Sequence, residues 1–252
     1  MTRVILHGCN GAMGQVIAKL AQADDEIIVA AGLDIEDKGL FTFPVYTSPE
    51  KCMEEADVVI DFSTARAVDS LLDWCAARKL PLVLCTTGLS EAQLEHMRKV
   101  SEETAVLRSA NMSLGVNLLL ALVKEAAKTL APNGFDIEIL EKHHRRKIDA
   151  PSGTAIALAD SINEAMDGAY HYRLDRSGVR EKRDPKEIGI QAVRGGTIVG
   201  EHDVIFAGED EVITLNHTAY SRAIFGKGAV TAAKFLAGKG PGMYSMEDVI
   251  GI

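Results

Sequence analysis

The chain has little cysteine and little proline, and each shortage excludes a class of protein. The 4 cysteines, at positions 9, 52, 75 and 85, form no Cys-x-x-Cys pair and show no metal-ligand spacing. We therefore expect reduced thiols, with neither a disulfide framework nor a metal site. Only 7 prolines stand beside 22 glycines, which excludes a collagen-like or fibrous chain.

Basic charge and long hydrophobic runs are also scarce. Lys and Arg number 27 against 36 Asp and Glu, and the formal net charge of −9 opposes non-specific attraction to nucleic acid or anionic lipid. The apolar stretch 116–123 is interrupted by Asn117 and is far shorter than the roughly 20 residues of a membrane span. The first apolar run is too short for a secretory signal. These shortages predict a cytoplasmic protein that binds neither nucleic acid nor membrane.

The composition that remains is that of a folded globular chain, with 47% hydrophobic and 25% charged residues. Up to about residue 110, short β-rich runs alternate with segments of helical periodicity. We predict strands at 4–7, 27–33, 57–62, 81–85 and 105–107, and helices at 13–23, 64–78 and 90–100. This alternation indicates a Rossmann-like α/β domain with a doubly wound parallel sheet.

The pattern changes after residue 112. A helix at 114–130 is followed by strands at 135–141, 188–193, 197–206 and 211–218, a helix after Pro151, and a polar loop at 172–187. These elements predict a smaller α+β domain with an antiparallel or mixed sheet. A last helix at 223–236 has no sheet of its own, so we expect it to return to the first domain. The predicted domains are 1–112 with 223–252, and 113–222.

A glycine-rich turn follows the first strand, with Gly8, Gly11 and Gly14 just before a helix. Glycines at such a turn let the backbone approach a pyrophosphate, which the helix N-terminus then attracts. Asn10 stands where the common G-x-G-x-x-G motif has its second glycine, and Asn tolerates positive φ. The spacing predicts a dinucleotide site, and an ordinary βαβ turn is the alternative.

An acidic residue at the end of the second strand supports the dinucleotide prediction. Asp34 lies where a carboxylate accepts hydrogen bonds from the adenosine ribose, although a plain surface aspartate is the alternative. The next residue, Ile35, cannot neutralise a 2′-phosphate. We therefore expect NADH to serve at least as well as NADPH.

Polar turns also follow two later strands, at 86–88 and 109–112. Doubly wound sheets bind ligands at the carboxyl ends of their strands, although helix capping explains the same residues equally well. The candidate cofactor-binding residues are Gly8, Cys9, Asn10, Gly11, Ala12, Met13, Asp34, Cys85, Thr86, Thr87, Ser109, Ala110, Asn111 and Met112.

A basic segment at 142–147, Lys-His-His-Arg-Arg-Lys, contrasts with the acidic chain. It is compatible with a solvated loop, a nucleic-acid patch or a pocket for an anionic small molecule, but a nucleic-acid surface would need a wider basic face with aromatic residues. Shortly afterwards Ser152, Gly153 and Thr154 begin a helix, whose N-terminus attracts anions. Two anion-attracting elements so close predict a substrate with two carboxylates or phosphates.

Histidine side chains in this segment can also act as an acid or a base near neutral pH. The other histidines are isolated in sequence, and we expect them to be structural or exposed. They are His7, His96, His171, His202 and His217.

The run from Glu141 to Ala155 closely resembles the E-x-H-H-x-x-K-x-D-x-P-S-G-T-A block of the 4-hydroxy-tetrahydrodipicolinate reductases, also called dihydrodipicolinate reductases. The resemblance extends to the glycine loop, to the T-T-G turn at 86–88, to residues 110–117, and to V-G-E-H at 199–202. It implies an NADH- or NADPH-dependent reductase of the diaminopimelate route to lysine. It also implies a cytoplasmic homotetramer that is assembled through the second domain.

The resemblance further implies the roles of individual residues. His143 would be a proton donor or acceptor and Lys147 a proton donor, while the dicarboxylate would be held by His144, Ser152, Gly153 and Thr154. A nucleotide-sensing or assembly protein that has lost the chemistry remains an alternative. An aldehyde dehydrogenase is disfavoured because the basic segment has no thiol nucleophile near it in sequence.

Overall fold

The computed structural model describes residues 1–251, which divide into two compact units. The first unit comprises Met1–Ser113 and Ala223–Gly251, and the second comprises Leu114–Arg222. The division lies one residue beyond the predicted boundary. Position 252, which the prediction assigns to the first domain, lies outside the described residues.

Residues 1–251 form twelve strands and seven α-helices. The strands are β1 (Thr2–His7), β2 (Ile27–Leu33), β3 (Val45–Tyr46), β4 (Val58–Asp61), β5 (Leu82–Leu84), β6 (Ala105–Leu107), β7 (Asp136–His143), β8 (His171–Arg173), β9 (Glu187–Arg194), β10 (Gly200–Ala207), β11 (Val212–Ala219) and β12 (Gly242–Tyr244). The helices are α1 (Ala12–Gln22), α2 (Ala65–Arg78), α3 (Glu91–Ser101), α4 (Leu114–Leu130), α5 (Gly153–Ala165), α6 (Ala223–Leu236) and α7 (Met246–Ile250).

The first unit contains a sheet in the order β12-β6-β5-β4-β1-β2-β3, and every neighbouring pair is parallel. The predicted doubly wound parallel sheet is confirmed. The strand order reverses between β1 and β4, which leaves a crevice at the carboxyl ends of these strands. The prediction lacks β3 and β12 because strands of 2 and 3 residues are too short to show an alternating pattern.

Both faces of this sheet are buried. Along β1, Val4 and Leu6 belong to one hydrophobic cluster and Ile5 to the other, because successive side chains of a strand point to opposite faces. Helix α6 packs in this unit against α1. A Cβ atom at Gly226 would lie 3.0 Å from Cδ1 of Leu20, so the absence of a side chain there lets the two helices approach closely.

Helices α2 and α3 of the first unit are joined by an imidazole. Nδ1 of His96 lies 2.9 Å from Asp69, and Nε2 lies 2.9 Å from Asp73. The hydrogen bond to Asp69, helped by Asp73, raises the pKa of His96, although burial partly opposes the rise. A raised pKa in the folded state means that the charged pair stabilises the fold fully below the unfolded pKa of about 6.5, and that this contribution is lost as the pH rises through the folded value.

We therefore expect His96→Gln to lower the melting temperature at pH 5.5 and to have little effect at pH 8.5. Exposed ion pairs contribute up to about 1 kcal/mol, which corresponds to about 2–4 °C for a chain of this size. Thermal unfolding of both proteins at the two pH values measures the difference. An equal loss at both pH values would contradict a charged interaction.

The second unit contains a sheet in the order β11-β10-β7-β9-β8. Strand β10 is antiparallel to β7 and β11, whereas β9 is parallel to β7 and β8. The sheet is therefore mixed, and a purely antiparallel arrangement is wrong. Parallel strands need a long connection, and the segment that contains α5 supplies it between β7 and β9.

Helices α4 and α5 cover one face of this mixed sheet. Alternate residues of β7 and β10, such as Ile137, Ile139 and Phe206, pack with Val123 and Leu158 of the two helices. The remaining alternate residues of β7 and β10 are partly exposed. None of the helices within residues 1–251 combines the length and the hydrophobicity that crossing a bilayer requires.

Candidate functional site

The glycine loop between β1 and α1 has the tight geometry that its spacing predicts. Gly8 has a φ of +76°, and a Cβ atom there would lie 2.6 Å from the carbonyl oxygen of Phe62. A Cβ atom at Gly14 would lie 2.4 Å from the carbonyl oxygens of Gly8 and Cys9. Neither position has room for a side chain, so the loop lies directly against the first turn of α1.

Asp34 is held beside this loop by backbone groups. The amide of Asn10 donates to Oδ2 of Asp34 at 2.8 Å, and the amide of Ile35 donates to Oδ1 at 2.8 Å. The side-chain amide of Asn10 donates to the carbonyl of Glu36 at 2.7 Å. Because each carboxylate oxygen can accept more than one hydrogen bond, Asp34 can still accept from the hydroxyls of a ribose.

A cavity of about 690 Å³ opens at the carboxyl ends of β1, β2 and β4. Its lining includes four of the predicted cofactor residues, which are Gly8, Asn10, Gly11 and Asp34. This volume lies within the range of cofactor pockets. A dinucleotide fits this site, because the loop excludes side chains, Gly11 caps α1 without a side-chain oxygen, and a carboxylate stands at the end of β2.

Other predicted cofactor residues do not line this cavity. The side chains of Cys9 and Met112 are buried in the hydrophobic core. Burial raises the pKa of the Cys9 thiol to about 11. Thr86 is also buried, and its Oγ1 lies 3.5 Å from Oγ of Ser63. The remaining predicted residues outside the lining are Ala12, Met13, Cys85, Thr87, Ser109, Ala110 and Asn111.

In the second unit, His143 at the end of β7 is held by a buried carboxylate. Nδ1 of His143 lies 2.6 Å from Oε2 of Glu141, and Glu141 is fully buried. Arg194, the last residue of β9, donates to both oxygens of Glu141 at 2.7 Å. A Cβ atom at Gly200 would lie 3.1 Å from Nε2 of His143, so the imidazole needs a glycine beside it.

The ionisation of this group follows from burial and hydrogen bonding. Burial raises the pKa of Glu141, but the hydrogen bonds from Arg194, His143 and the Ser152 amide outweigh it and leave the pKa lowered. Burial lowers the pKa of His143, and the hydrogen bond to Glu141 offsets this only in part. His143 is therefore neutral at physiological pH, with Nδ1 donating to Glu141 and Nε2 as the acceptor nitrogen.

Helix α5 begins directly beside this group. The amide of Ser152 donates to Oε1 of Glu141 at 3.0 Å, and Oγ of Ser152 accepts from the amide of Ala155 at 3.2 Å. Ser152 is thus a buried helix cap. Gly153 and Thr154 form the more exposed first turn, whose amides point outward as at any helix N-terminus.

The side chains of the basic segment lie in different environments. Lys142 is paired with Glu201 at 3.0 Å and Asp203 at 3.2 Å, so its charge is neutralised within the sheet. Nζ of Lys147 lies 2.8 Å from Oδ2 of Asp149, and the side chain of Lys147 is 22% exposed. Arg145 and Arg146 are exposed. Nδ1 of His144 is buried and has no hydrogen-bond partner among residues 1–251.

His202 belongs to this site, although its isolation in the sequence predicts only a structural or exposed residue. Its ring centroid lies 5.2 Å from that of His143, and its Nε2 lies 3.2 Å from Oγ of Ser152. Burial lowers the pKa of His202 to about 4, and repulsion from His143 in its protonated form is the second cause. The alternation along β10 is the signal that indicates it, because His202 shares the buried face with Val204 and Phe206.

Arg194 is a second residue that sequence reasoning misses. Besides Glu141, it donates to the carbonyl of Asp149 at 2.6 Å, so it ties β9 to the segment that carries Lys147. A polar residue at the end of a strand gives no indication of such a partner in the sequence. Together these residues provide a neutral imidazole, an ammonium group and a helix N-terminus, which can accept a proton, donate a proton and bind an anion.

Comparison with known proteins agrees with this chemistry. The family model described as dihydrodipicolinate reductase, N-terminus, matches residues 2–112, and the model described as dihydrodipicolinate reductase, C-terminus, matches residues 115–250. The 4-hydroxy-tetrahydrodipicolinate reductase of Caldanaerobacter subterraneus subsp. tengcongensis is 56% identical, over 99% of this chain and 98% of its own length. The enzyme of the same name from Clostridium tetani is 46% identical, over 99% of this chain and 97% of its own length.

A solved structure is also similar to this chain over nearly its whole length. Dipicolinate-bound dihydrodipicolinate reductase from Paenisporosarcina sp. TG-14 superimposes with a TM-score of 0.83 at 25% identity, and the match covers 99% of each chain. Because the two family models together span nearly the whole sequence and the relatives match it from end to end, the chain belongs to the dihydrodipicolinate reductase family.

Proposed function

We propose that this protein is a 4-hydroxy-tetrahydrodipicolinate reductase of the diaminopimelate route to lysine. It reduces (2S,4S)-4-hydroxy-2,3,4,5-tetrahydrodipicolinate to (S)-2,3,4,5-tetrahydrodipicolinate, consuming NADH or NADPH and one proton and releasing water. The observation that carries the proposal is the His143–Glu141–Arg194 group beside the N-terminus of α5, in a chain that belongs to this family.

The residues of the second unit have separate roles in this reaction. The N-terminus of α5, at Gly153 and Thr154, binds a carboxylate, and His144 adds a ring nitrogen donor. The ammonium of Lys147 donates the proton that completes the reduction, and Nε2 of His143 accepts or returns a proton. When bound, the reduced nicotinamide supplies the hydride. Positioning of the dianion by these groups lowers the barrier without a covalent intermediate.

The direct test is to follow the absorbance of NADH and NADPH with freshly generated hydroxy-tetrahydrodipicolinate. We expect substrate-dependent oxidation of the nucleotide. Binding of both ligands without turnover would instead favour a nucleotide-sensing protein of the same fold.

We expect NADH to be used at least as well as NADPH. Ile35 follows Asp34 and is 89% exposed, and Lys38, which lines the cavity, pairs with Glu36 at 3.3 Å. The acidic Asp34 and Glu50 on the cavity wall would repel a 2′-phosphate. Steady-state kcat/KM values for the two nucleotides measure this preference, and a hundredfold preference for NADPH would refute it.

We expect Thr154→Val to raise the KM for the dicarboxylate by about tenfold or more, with little change in kcat. The substitution removes a hydroxyl from the first turn of α5, where we place a substrate carboxylate, and one lost hydrogen bond to a charged group weakens binding by about 1.5–3 kcal/mol. Thr231→Val on α6 is a matched control that should leave KM unchanged. An unchanged KM in Thr154→Val would argue against a carboxylate at this helix N-terminus.

The resemblance also supports a cytoplasmic homotetramer assembled through the second unit. Strands β7 and β10 carry partly exposed residues on one face, including Leu140 and Ile205, and β11 is an exposed edge with Val212 61% exposed. Such a face and edge are suited to pairing with other copies. Light scattering after size-exclusion chromatography tests the tetramer, and fractionation of cells tests the compartment.

A further inference from the structure

A histidine and a buried aspartate stand together at the point where the strand order of the first unit reverses. His7 ends β1 and Asp61 ends β4, and the two are register partners in neighbouring parallel strands. Nδ1 of His7 lies 2.7 Å from Oδ1 of Asp61. Asp61 is fully buried, whereas His7 is among the residues that line the 690 Å³ cavity.

The surroundings of Asp61 are unusual for a buried carboxylate. Its Oδ1 also accepts from the amide of Ser63 at 3.2 Å, but its Oδ2 is buried without a hydrogen-bond partner among residues 1–251. Glu141 in the second unit, by contrast, receives hydrogen bonds at both oxygens. A buried carboxylate with an unsatisfied oxygen is costly, and such a group is uncommon in a native fold.

The hydrogen bond to Asp61 determines how His7 can meet a ligand. A carboxylate can only accept here, so Nδ1 of His7 carries a proton and donates it. Nε2, on the other side of the ring, faces away from Asp61. Since His7 lines the cavity, Nε2 is the nitrogen that a ligand in the cavity would meet. A carboxylate that accepts from one ring nitrogen of an imidazole, and so fixes its tautomer and orientation, is a recurring arrangement in binding sites.

The strand order indicates which part of a dinucleotide lies near His7. Asp34 directly follows β2, which lies on one side of β1, and stands where a carboxylate would accept hydrogen bonds from the adenosine ribose. His7 and Asp61 lie at β1 and β4, and a dinucleotide bound across the crevice passes this point after its adenosine half. Gly8, next to His7, is the first glycine of the loop that approaches the pyrophosphate.

We propose that Nε2 of His7 hydrogen-bonds an oxygen of the dinucleotide beyond its AMP part, on the diphosphate or on the nicotinamide ribose, and that Asp61 is the positioning residue that orients the imidazole. This inference rests on the proposed NAD(P)H-dependent function. It adds a binding contact at a residue that sequence reasoning classes as structural.

The test is calorimetric binding of NADH, AMP, ADP and ADP-ribose to the full chain and to His7→Ala. We expect the Kd for NADH to rise about tenfold, as for the loss of one hydrogen bond, while the Kd for AMP stays unchanged. If His7→Ala binds ADP more weakly than the unmodified protein does but binds AMP equally well, the contact lies on the diphosphate. If the affinity of the variant is lower for ADP-ribose but not for ADP, the contact lies on the nicotinamide ribose. Equal affinity for NADH, or equal weakening for AMP, overturns the proposal.

Two further variants test the arrangement and guard against misfolding. Asp61→Asn should also raise the Kd for NADH and leave the Kd for AMP unchanged, because an amide side chain does not hold the His7 ring in one tautomer. His7→Gln keeps a polar group and should bind NADH more tightly than His7→Ala, and it provides the same comparison if the alanine variant does not fold. The matched control is His171→Ala, on the exposed strand β8, which should bind NADH as the unmodified protein does.

The outcomes separate this inference from the proposed function. If the unmodified protein binds neither NADH nor NADPH, the proposed function fails. If it binds NADH and both His7 variants bind it equally well, only the role of His7 fails.

Discussion

Replacing Lys147 or His143 with alanine should lower kcat by about 10²-fold or more and leave the fold intact. General acid–base groups contribute about 10²–10⁴-fold to rate, and these two side chains are the ammonium and the neutral imidazole that we place on the reacting substrate. The loss should appear mainly in kcat, because transfer of a proton stabilises the transition state more than the ground state. Steady-state kinetics with NADH measures it.

Lys142→Ala provides a matched control for the Lys147 variant. Lys142 belongs to the same basic segment, but its charge is paired with Glu201 and Asp203. We therefore expect the kcat of Lys142→Ala to stay close to that of the unmodified protein. Turnover retained in both Lys147→Ala and His143→Ala would remove these residues from the mechanism, and an equal loss in Lys142→Ala would indicate a general effect of positive charge.

Arg194→Met should destabilise the protein by about 3–5 kcal/mol. Glu141 is fully buried, and Arg194 donates to both of its oxygens. Removing one partner of a buried ion pair leaves the other charge uncompensated in a poorly solvated interior. Urea unfolding measures the loss. Arg180→Met, at an exposed position, is the control and should change the free energy of unfolding by less than about 0.5 kcal/mol.

A double variant distinguishes charge from packing. In Arg194→Met with Glu141→Gln, the buried charge is removed together with its partner, so we expect part of the stability to return. If the double variant is as unstable as the sum of the two single variants, the ion pair contributes nothing, and the effect of Arg194→Met comes from lost packing.

Local patterns allowed several elements to be predicted to within a few residues. The glycine loop is an example, since Gly8 and Gly14 leave no room for a Cβ atom and the spacing alone indicates this turn. The helix predicted at 90–100 is another, because it matches α3, and Ser90 caps this helix with a hydroxyl that accepts from the amide of Gln93. The strands that escaped prediction are β3, β12 and β8, the last of which overlaps the predicted polar loop at 172–187. All three are shorter than the period-two pattern needs.

The candidate sites were predicted less completely, because the direction of a side chain depends on packing. Cys9 lies within the glycine loop but faces the core, and Lys142 lies within the basic segment but faces two carboxylates. His202 lies far from the basic segment in sequence but packs beside His143. Neighbours in sequence share a ligand only when the strand places their side chains on the same face.

The sequence by itself therefore determined the two-domain α/β plan, the dinucleotide loop, the basic segment and the resemblance to a reductase family. Only the tertiary structure decided which groups act together. Asp61 is 54 residues from His7, Arg194 is 53 residues from Glu141, and His202 is 50 residues from Ser152. Such partners meet through the order in which strands join a sheet, and hydrophobic periodicity within a segment does not encode that order.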